Sequence, residues 1–266
     1  MPSYAATVAL SSDNDMNFNN TVTLVTGSSR GIGAAIARAF ARAGAEVVIN
    51  HRATGGTSEA RARELATEIE ALGRQALVVP ADIADREAVR TLMAAVRERF
   101  GRLDHLVLNA ARAPFKPMER LLDRELRDLV ETNFVGQVRC LREALPLLEA
   151  SGGRVVFISS LGSRFYAPEY PLGAMKAAME AAVRHWAESL RPRGVNANAV
   201  CGGIVRTDAF KVLRQVWDGL DRLPEELCVA PEEIADAVLF LCAPEARGVR
   251  GQTLVVDRGL ANRLRF

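Results

Sequence analysis

The chain has 266 residues and a formal net charge of +2, from 34 basic and 32 acidic side chains. Hydrophobic residues make up 49% and charged residues 25%, a balance that excludes a mainly disordered or fibrous chain. No apolar run approaches the ~20 residues of a bilayer span, and the near-even charge gives no general attraction to nucleic acid or anionic lipid.

Residues 1 to about 20 read as a polar tail, with SSDNDMNFNN lacking any period. No basic start precedes an apolar stretch, so no secretory signal is expected. Cys140, Cys201, Cys228 and Cys242 form no CxxC pair and no zinc-type cluster with histidine, so no metal is expected. Reduced thiols in a cytoplasm are the expectation.

From residue 21 onward, short β-rich runs alternate with amphipathic stretches. The strand candidates are 21–26, 45–50, 75–81, 104–110, 153–159, 195–200 and 252–257. Most are nearly continuous apolar runs, as in parallel strands covered on both faces. Helices are expected over 34–44, 58–73, 171–190 and 231–242. The first ends on Gly44, a helix stop, and the last opens on Pro231, Glu232 and Glu233, which suit a helix N-terminus. The pattern predicts one α/β domain over 21–266: a doubly wound, Rossmann-type fold with a seven-stranded parallel sheet. Ligands are expected beyond the carboxyl ends of its strands.

TGSSRGIG, Thr26 to Gly33, stands directly between the first strand and the first helix. Gly27 permits a tight turn, Gly31 lets backbone approach a pyrophosphate, and Gly33 lets the helix pack against the sheet. Ser29, Arg30 and Ile32 complete the loop, and the helix N-terminus presents free N–H groups to the phosphates. An acidic residue ending the second strand would bind a ribose 2′-hydroxyl. Here that strand ends Asn50-His51-Arg52. With no carboxylate to repel a 2′-phosphate, and with Arg52 and Arg30 to pair with one, the expected cofactor is NADPH rather than NADH.

At this point the sequence resembles the short-chain dehydrogenase/reductase family, over about residues 20–258. TGSSRGIG resembles that family's TGxxxGxG loop. Asp82, followed by Ile83, matches its adenine-contacting Asp, and Asn109-Ala110-Ala111 stands where the family has NNAG. Asn133 matches the asparagine that helps hold a proton-relay water. Ser160 and Lys176 match the catalytic serine and lysine. Gly203, Val205 and Thr207 lie in CGGIVRT, which is similar to the segment that wraps the nicotinamide, with Gly202 in place of proline. The resemblance implies hydride transfer between NADP(H) and a carbonyl or alkene. In the family, a tyrosine four residues before the lysine gives the proton, the lysine lowers its pKa and holds the ribose, and the serine bonds the same substrate oxygen.

Here that position is Leu172. Leucine has no proton to give, and loss of a general acid ordinarily costs ~10²–10⁴ in rate. Three readings follow. In one, the substrate supplies its own donor: a hydroxylated polycyclic aromatic polyketide ketone, reduced as in atypical ketoreductases of antibiotic pathways, with Leu172 as an apolar contact. In the second, Tyr170 is the acid. Pro171 favours an extended residue 170 and a helix beginning at Pro171, leaving Tyr170 in the preceding loop. Enoyl-thioester reductases of the family use a longer Tyr-x₆-Lys spacing, and this chain has Tyr-x₅-Lys. In the third, the chain is a non-catalytic NADPH-binding regulator.

The segment of about 207–228 is expected to form a flap carrying Phe210 and Trp217 over the substrate. Phe165 and Tyr166 are expected on the opposite wall. Arg164 and Arg206 are candidates for an acidic group on the ligand. Ala174, Ala177, Ala178, Ala181 and Ala182 on helix 171–190 suit close helix approach, and the family resemblance implies a homodimer or homotetramer through this helix.

Overall fold

The computed structural model describes residues 16–52, 56–208, 210 and 223–263. Residues 1–15 of the expected tail and most of the expected flap, Trp217 included, lie outside the described residues.

Seven strands make one parallel sheet: β1 (Val22–Val25), β2 (Glu46–His51), β3 (Ala76–Pro80), β4 (His105–Leu108), β5 (Arg154–Ser160), β6 (Asn196–Gly202) and β7 (Thr253–Val256). Their order is β3-β2-β1-β4-β5-β6-β7, so the order reverses between β1 and β4. Val25 pairs with Ile49 on one side and Val107 on the other. Each expected strand is present. β1, β4 and β6 are buried along their whole length; β1 and β4 accordingly run largely apolar, while β6 buries Asn196 and Asn198, whose amides both donate to the Val249 carbonyl.

The larger helices are α1 (Gly31–Arg42), α2 (Gly56–Ala71), α3 (Arg86–Phe100), α4 (Asp123–Val130), α5 (Gly136–Ser151), α6 (Leu172–Ser189) and α7 (Pro231–Cys242). One core layer packs Ile36, Phe40, Leu65, Ile234 and Val238 on one face of the sheet. The other packs Leu92, Val96, Leu141, Leu148, Val183 and Trp186 on the opposite face. Alanines 34, 35, 37 and 41 line the buried side of α1, bringing it close to the sheet. Asp85 starts α3 by accepting hydrogen bonds from the Glu87 and Ala88 N–H groups. A π turn, Glu131–Val135, joins α4 to α5. Among the described residues no helix is long and apolar enough to cross a membrane.

Several expected boundaries shift by a few residues, and two of the shifts have a clear cause. α1 begins at Gly31 rather than at 34, because the last glycines of the motif form its first turn. The polar tail ends before residue 20: Phe18 is buried, meets Phe40 and His105 edge-on, and its N–H bonds the Ala43 carbonyl. The polar residues around Phe18 hid this anchor.

Candidate active site

The sheet reversal opens a crevice beyond β1 and β4, and the glycine loop crosses it. Gly27 has φ +64°, and a Cβ there would come within 2.9 Å of Ala110 Cα. At Gly33 a Cβ would come within 2.6 Å of Asn109 Nδ2 and 2.7 Å of the Gly27 carbonyl. Thr26 fastens the two strand ends together: its hydroxyl oxygen accepts from the Asn109 and Ala110 N–H groups, and its carbonyl accepts from Asn109 Nδ2. Arg30 precedes α1 without a side-chain cap, leaving the first-turn N–H groups open. This is a cradle for a phosphate, and a side chain at Gly27 or Gly33 would collide with its own walls.

Asn50 is the second fastening. Its Oδ1 accepts from the Gly27 N–H at 3.1 Å, and its Nδ2 donates to the Val79 and Ala81 carbonyls at 3.3 and 3.0 Å. Its side chain thus holds the loop and the strand ends in place. His51 is buried on the same wall, and Arg52 and Arg30 are exposed at its rim. Ser29 faces Ser58 across the groove at 3.4 Å. Asp82, Ile83, Asn109, Ala110 and Ala111 continue the wall. With Ile32, Gly203, Val205 and Thr207 they line one cavity of about 810 Å³. The donor set fits a dinucleotide bearing an extra phosphate: open helix N–H groups for the pyrophosphate, and two guanidiniums with no carboxylate at the end of β2.

The same cavity reaches Ser160, Tyr170, Leu172 and Lys176. Ser160 ends β5, and its buried hydroxyl makes no complete hydrogen bond. Tyr170 lies in the loop before α6, with Pro171 as the residue that starts the helix. Its ring rests on Gly162, where a Cβ would come within 2.7 Å of Cδ1, and stacks on Phe115 at 6.2 Å between centroids. Burial pushes the Tyr170 phenol up from its ordinary pKa, and the facing Ser160 hydroxyl pulls it partly back. The phenol is therefore protonated at neutral pH. Lys176 donates to the Ile158 carbonyl at 2.5 Å and lies 4.7 Å from the centre of the Phe157 ring. Burial brings its pKa down to about 8.

Asn133 sits in the π turn, a feature common at functional sites. Its Oδ1 accepts from the Arg112 N–H, and its Nδ2 donates to the Arg112 and Leu129 carbonyls. In this structure it anchors the loop after β4.

The substrate wall differs from expectation. Tyr166 is 89% exposed and does not line the cavity. Phe165 turns instead to a small cluster around Leu161, Cys201, Leu227 and Leu260. Side-chain direction in this loop is set by that cluster, which sequence spacing does not reveal. Phe210 and Leu172 do line the cavity. Arg164 faces Glu180 at 3.7 Å, and Arg206 pairs with Glu225. Three residues were not anticipated: Phe115, Glu180, and Arg61, which pairs with Asp208 at 3.1 Å across the groove. The spacing Lys176-x₃-Glu180 on one helical face was the available signal for Glu180.

The family model described as enoyl-(acyl carrier protein) reductase matches residues 27–261. A 1-cyclohexenylcarbonyl-CoA reductase of Streptomyces collinus is 39% identical, over 90% of this chain and 86% of that protein. A hydroxynaphthalene reductase of Aspergillus fumigatus is 33% identical, over 87% and 89%. A solved short-chain dehydrogenase of Burkholderia cenocepacia, in complex with NADP, superposes with a TM-score of 0.82 at 33% identity, covering 90% of this chain and 97% of that one. The chain belongs to the short-chain dehydrogenase/reductase family and is an oxidoreductase.

Proposed function

We propose that the chain is an NADPH-dependent reductase of α,β-unsaturated thioesters, with Tyr170 as its acid. The observation that carries this reading is the buried Tyr170 phenol facing the Ser160 hydroxyl in the cavity that also holds Lys176. NADPH, when bound, supplies a hydride. The glycine loop and the N-terminus of α1 hold its pyrophosphate, Arg30 and Arg52 its 2′-phosphate, and Lys176 its ribose. Tyr170 and Ser160 bind the thioester oxygen, and Tyr170 gives a proton there as negative charge develops. Phe115 and Leu172 offer apolar surface to the acyl chain. The description of the matching family and the activity named for the Streptomyces relative support this substrate class, and the Tyr–Lys spacing falls one residue short of the Tyr-x₆-Lys of enoyl-thioester reductases.

A second reading is favoured by the hydroxynaphthalene reductase relative. In it the substrate is a ketone of a hydroxylated polycyclic aromatic polyketide in antibiotic biosynthesis, such as an angucyclinone of the kind built into simocyclinone. A phenol beside that ketone supplies the proton, and Leu172 and Phe115 flank the rings. Under either reading the enzyme is cytoplasmic, which suits its four free, buried cysteines. It pairs with further copies through α6, whose Ala174 and Ala181 are exposed rather than packed on its own sheet.

The test follows NADPH oxidation with a short enoyl thioester and a phenol-bearing polycyclic ketone, in the natural chain and in Tyr170→Phe. Thioester turnover that collapses in Tyr170→Phe is the expected result. Ketone turnover indifferent to Tyr170→Phe selects the second reading. Tight NADPH binding with no turnover of either selects a non-catalytic NADPH-binding regulator.

A further inference from the structure

Glu180 is a buried carboxylate that the mechanism above leaves unused. It lies one helical turn after Lys176 on the same face of α6 and is only 7% exposed. Its Oε1 accepts from the Ser159 hydroxyl at 2.5 Å and from the Ser163 hydroxyl at 2.6 Å. Ser159 immediately precedes Ser160 on β5, and Ser163 ends the short 3-10 turn, Leu161–Ser163, that follows it. Oε2 lies 3.7 Å from the Arg164 guanidinium. A buried carboxylate persists only where hydrogen bonds and cations compensate it. Here the compensation comes from the serines on both sides of Ser160 and from the Arg164 guanidinium.

We infer that Glu180 is a positioning residue: its carboxylate ties the Ser159–Ser163 segment to the turn of α6 that carries Lys176, fixing Ser160 in place, and its charge keeps Lys176 an ammonium. The inference rests on the reading of Ser160 and Lys176 as the reacting end of the cavity.

The surroundings of Lys176 single out Glu180. From β5 come a neutral carbonyl, Ile158, and the Phe157 ring. From β6 comes the Cys201 thiol, itself pushed up to about 12 by burial and therefore neutral. The loop before α6 brings Tyr170, a protonated phenol, and the turn after β5 brings Arg164, which faces Glu180. Against the cost of burial stand Cys201 and then Glu180; with the thiol neutral, Glu180 is the one of the two that carries a charge.

The chain has three lysines, Lys116, Lys176 and Lys211. NMR of the full chain labelled at lysine Cε therefore gives three titrations, assigned by Lys→Arg substitutions. Glu180→Gln keeps an acceptor oxygen for both serines but removes the charge. The Lys176 midpoint is expected to fall by about one pH unit. Arg164→Ala, at a half-exposed side chain, removes the competing cation and raises the midpoint by roughly a few tenths of a unit. It also serves if Glu180→Gln does not fold. A Lys176 midpoint unmoved in the folded variants overturns the inference. In thioester turnover, Glu180→Gln is expected to fail first on the alkaline side, and Glu180→Ala, which also frees the serines, at every pH. Matching losses for the two at every pH overturn the charge role. The titration needs no substrate, so a moved midpoint in a chain that turns nothing over sinks the proposed function and leaves the inference standing.

Discussion

Around Gly27 and Asn50 the cavity wall is cross-linked by hydrogen bonds among β1, β2, β3 and β4. Around Ser160 and Tyr170 it is built from ring contacts, a loop and a hydroxyl without a complete hydrogen bond. The first region has its strand ends and loop tied to one another before any ligand arrives, with the first-turn N–H groups of α1 left open for a phosphate, and it resists change as a unit. The second keeps groups in reserve for a ligand, and its apolar contacts are free to repack. Dinucleotide recognition and substrate choice thus rest on walls of different stiffness in one cavity.

Replacing Tyr170 by Phe tests the yielding side most severely. Thioester turnover is expected to drop by ~10²–10⁴, while NADPH affinity, read by the cofactor's fluorescence, stays as it was. Equal losses in both would erase the distinction between the two walls.

The stiff side reaches to the far end of the sheet, where His105 is buried between Phe18 and Phe40 and bonds Thr23. Burial holds its pKa at about 4, below its ordinary 6.5. Between these values the unfolded chain binds a proton that the folded chain refuses. Stability should therefore fall as pH drops from 6.5 towards 4, by about 3 kcal/mol from this group, and level off below. Urea unfolding across that window, with His105→Gln as control, measures it. A slope unchanged in the variant rejects the assignment.

Two glycine substitutions sharpen the contrast directly. A Cβ at Gly33 meets backbone and a tethered amide, so Gly33→Ala should cost about 1–3 kcal/mol of stability and impair NADPH binding. A Cβ at Gly162 collides with the Tyr170 ring and stands at ordinary contact distance, 3.5 Å, from the Gly173 Cα. Gly162→Ala should leave NADPH binding intact and lower turnover by displacing that ring. The smallest expected effect is at Arg52, exposed on the rim. Arg52→Ala should weaken NADPH about tenfold and NADH hardly at all, with the difference shrinking as salt rises.

The stiff region was the more legible one in the sequence. Strands buried on both faces announce themselves as apolar runs, and Gly27 and Gly33 sit where only glycine fits. On the yielding side, Pro171 was enough to place Tyr170 outside α6, because proline constrains its own backbone and its neighbour's. Phe165 and Tyr166 were misdirected, since loop side chains turn according to tertiary neighbours that carry no local signal. Glu180 passed for an ordinary polar helix residue because its serine partners lie 17 and 21 positions away. Phe18 was hidden by polar neighbours, and its burial depends on α1 and β4 lying where they do.

The π turn at Glu131–Val135 has a consequence for heredity. A π turn closes its ring with one residue more than an α turn, so α4 and α5 keep their faces on the core while the chain between them carries a surplus position. Losing a single codon there would leave both helices in phase and withdraw mainly the reach of Asn133 to Arg112. Here a gene can shorten without turning either helix off its face, and what it gives up is the anchor of the loop beside the cavity.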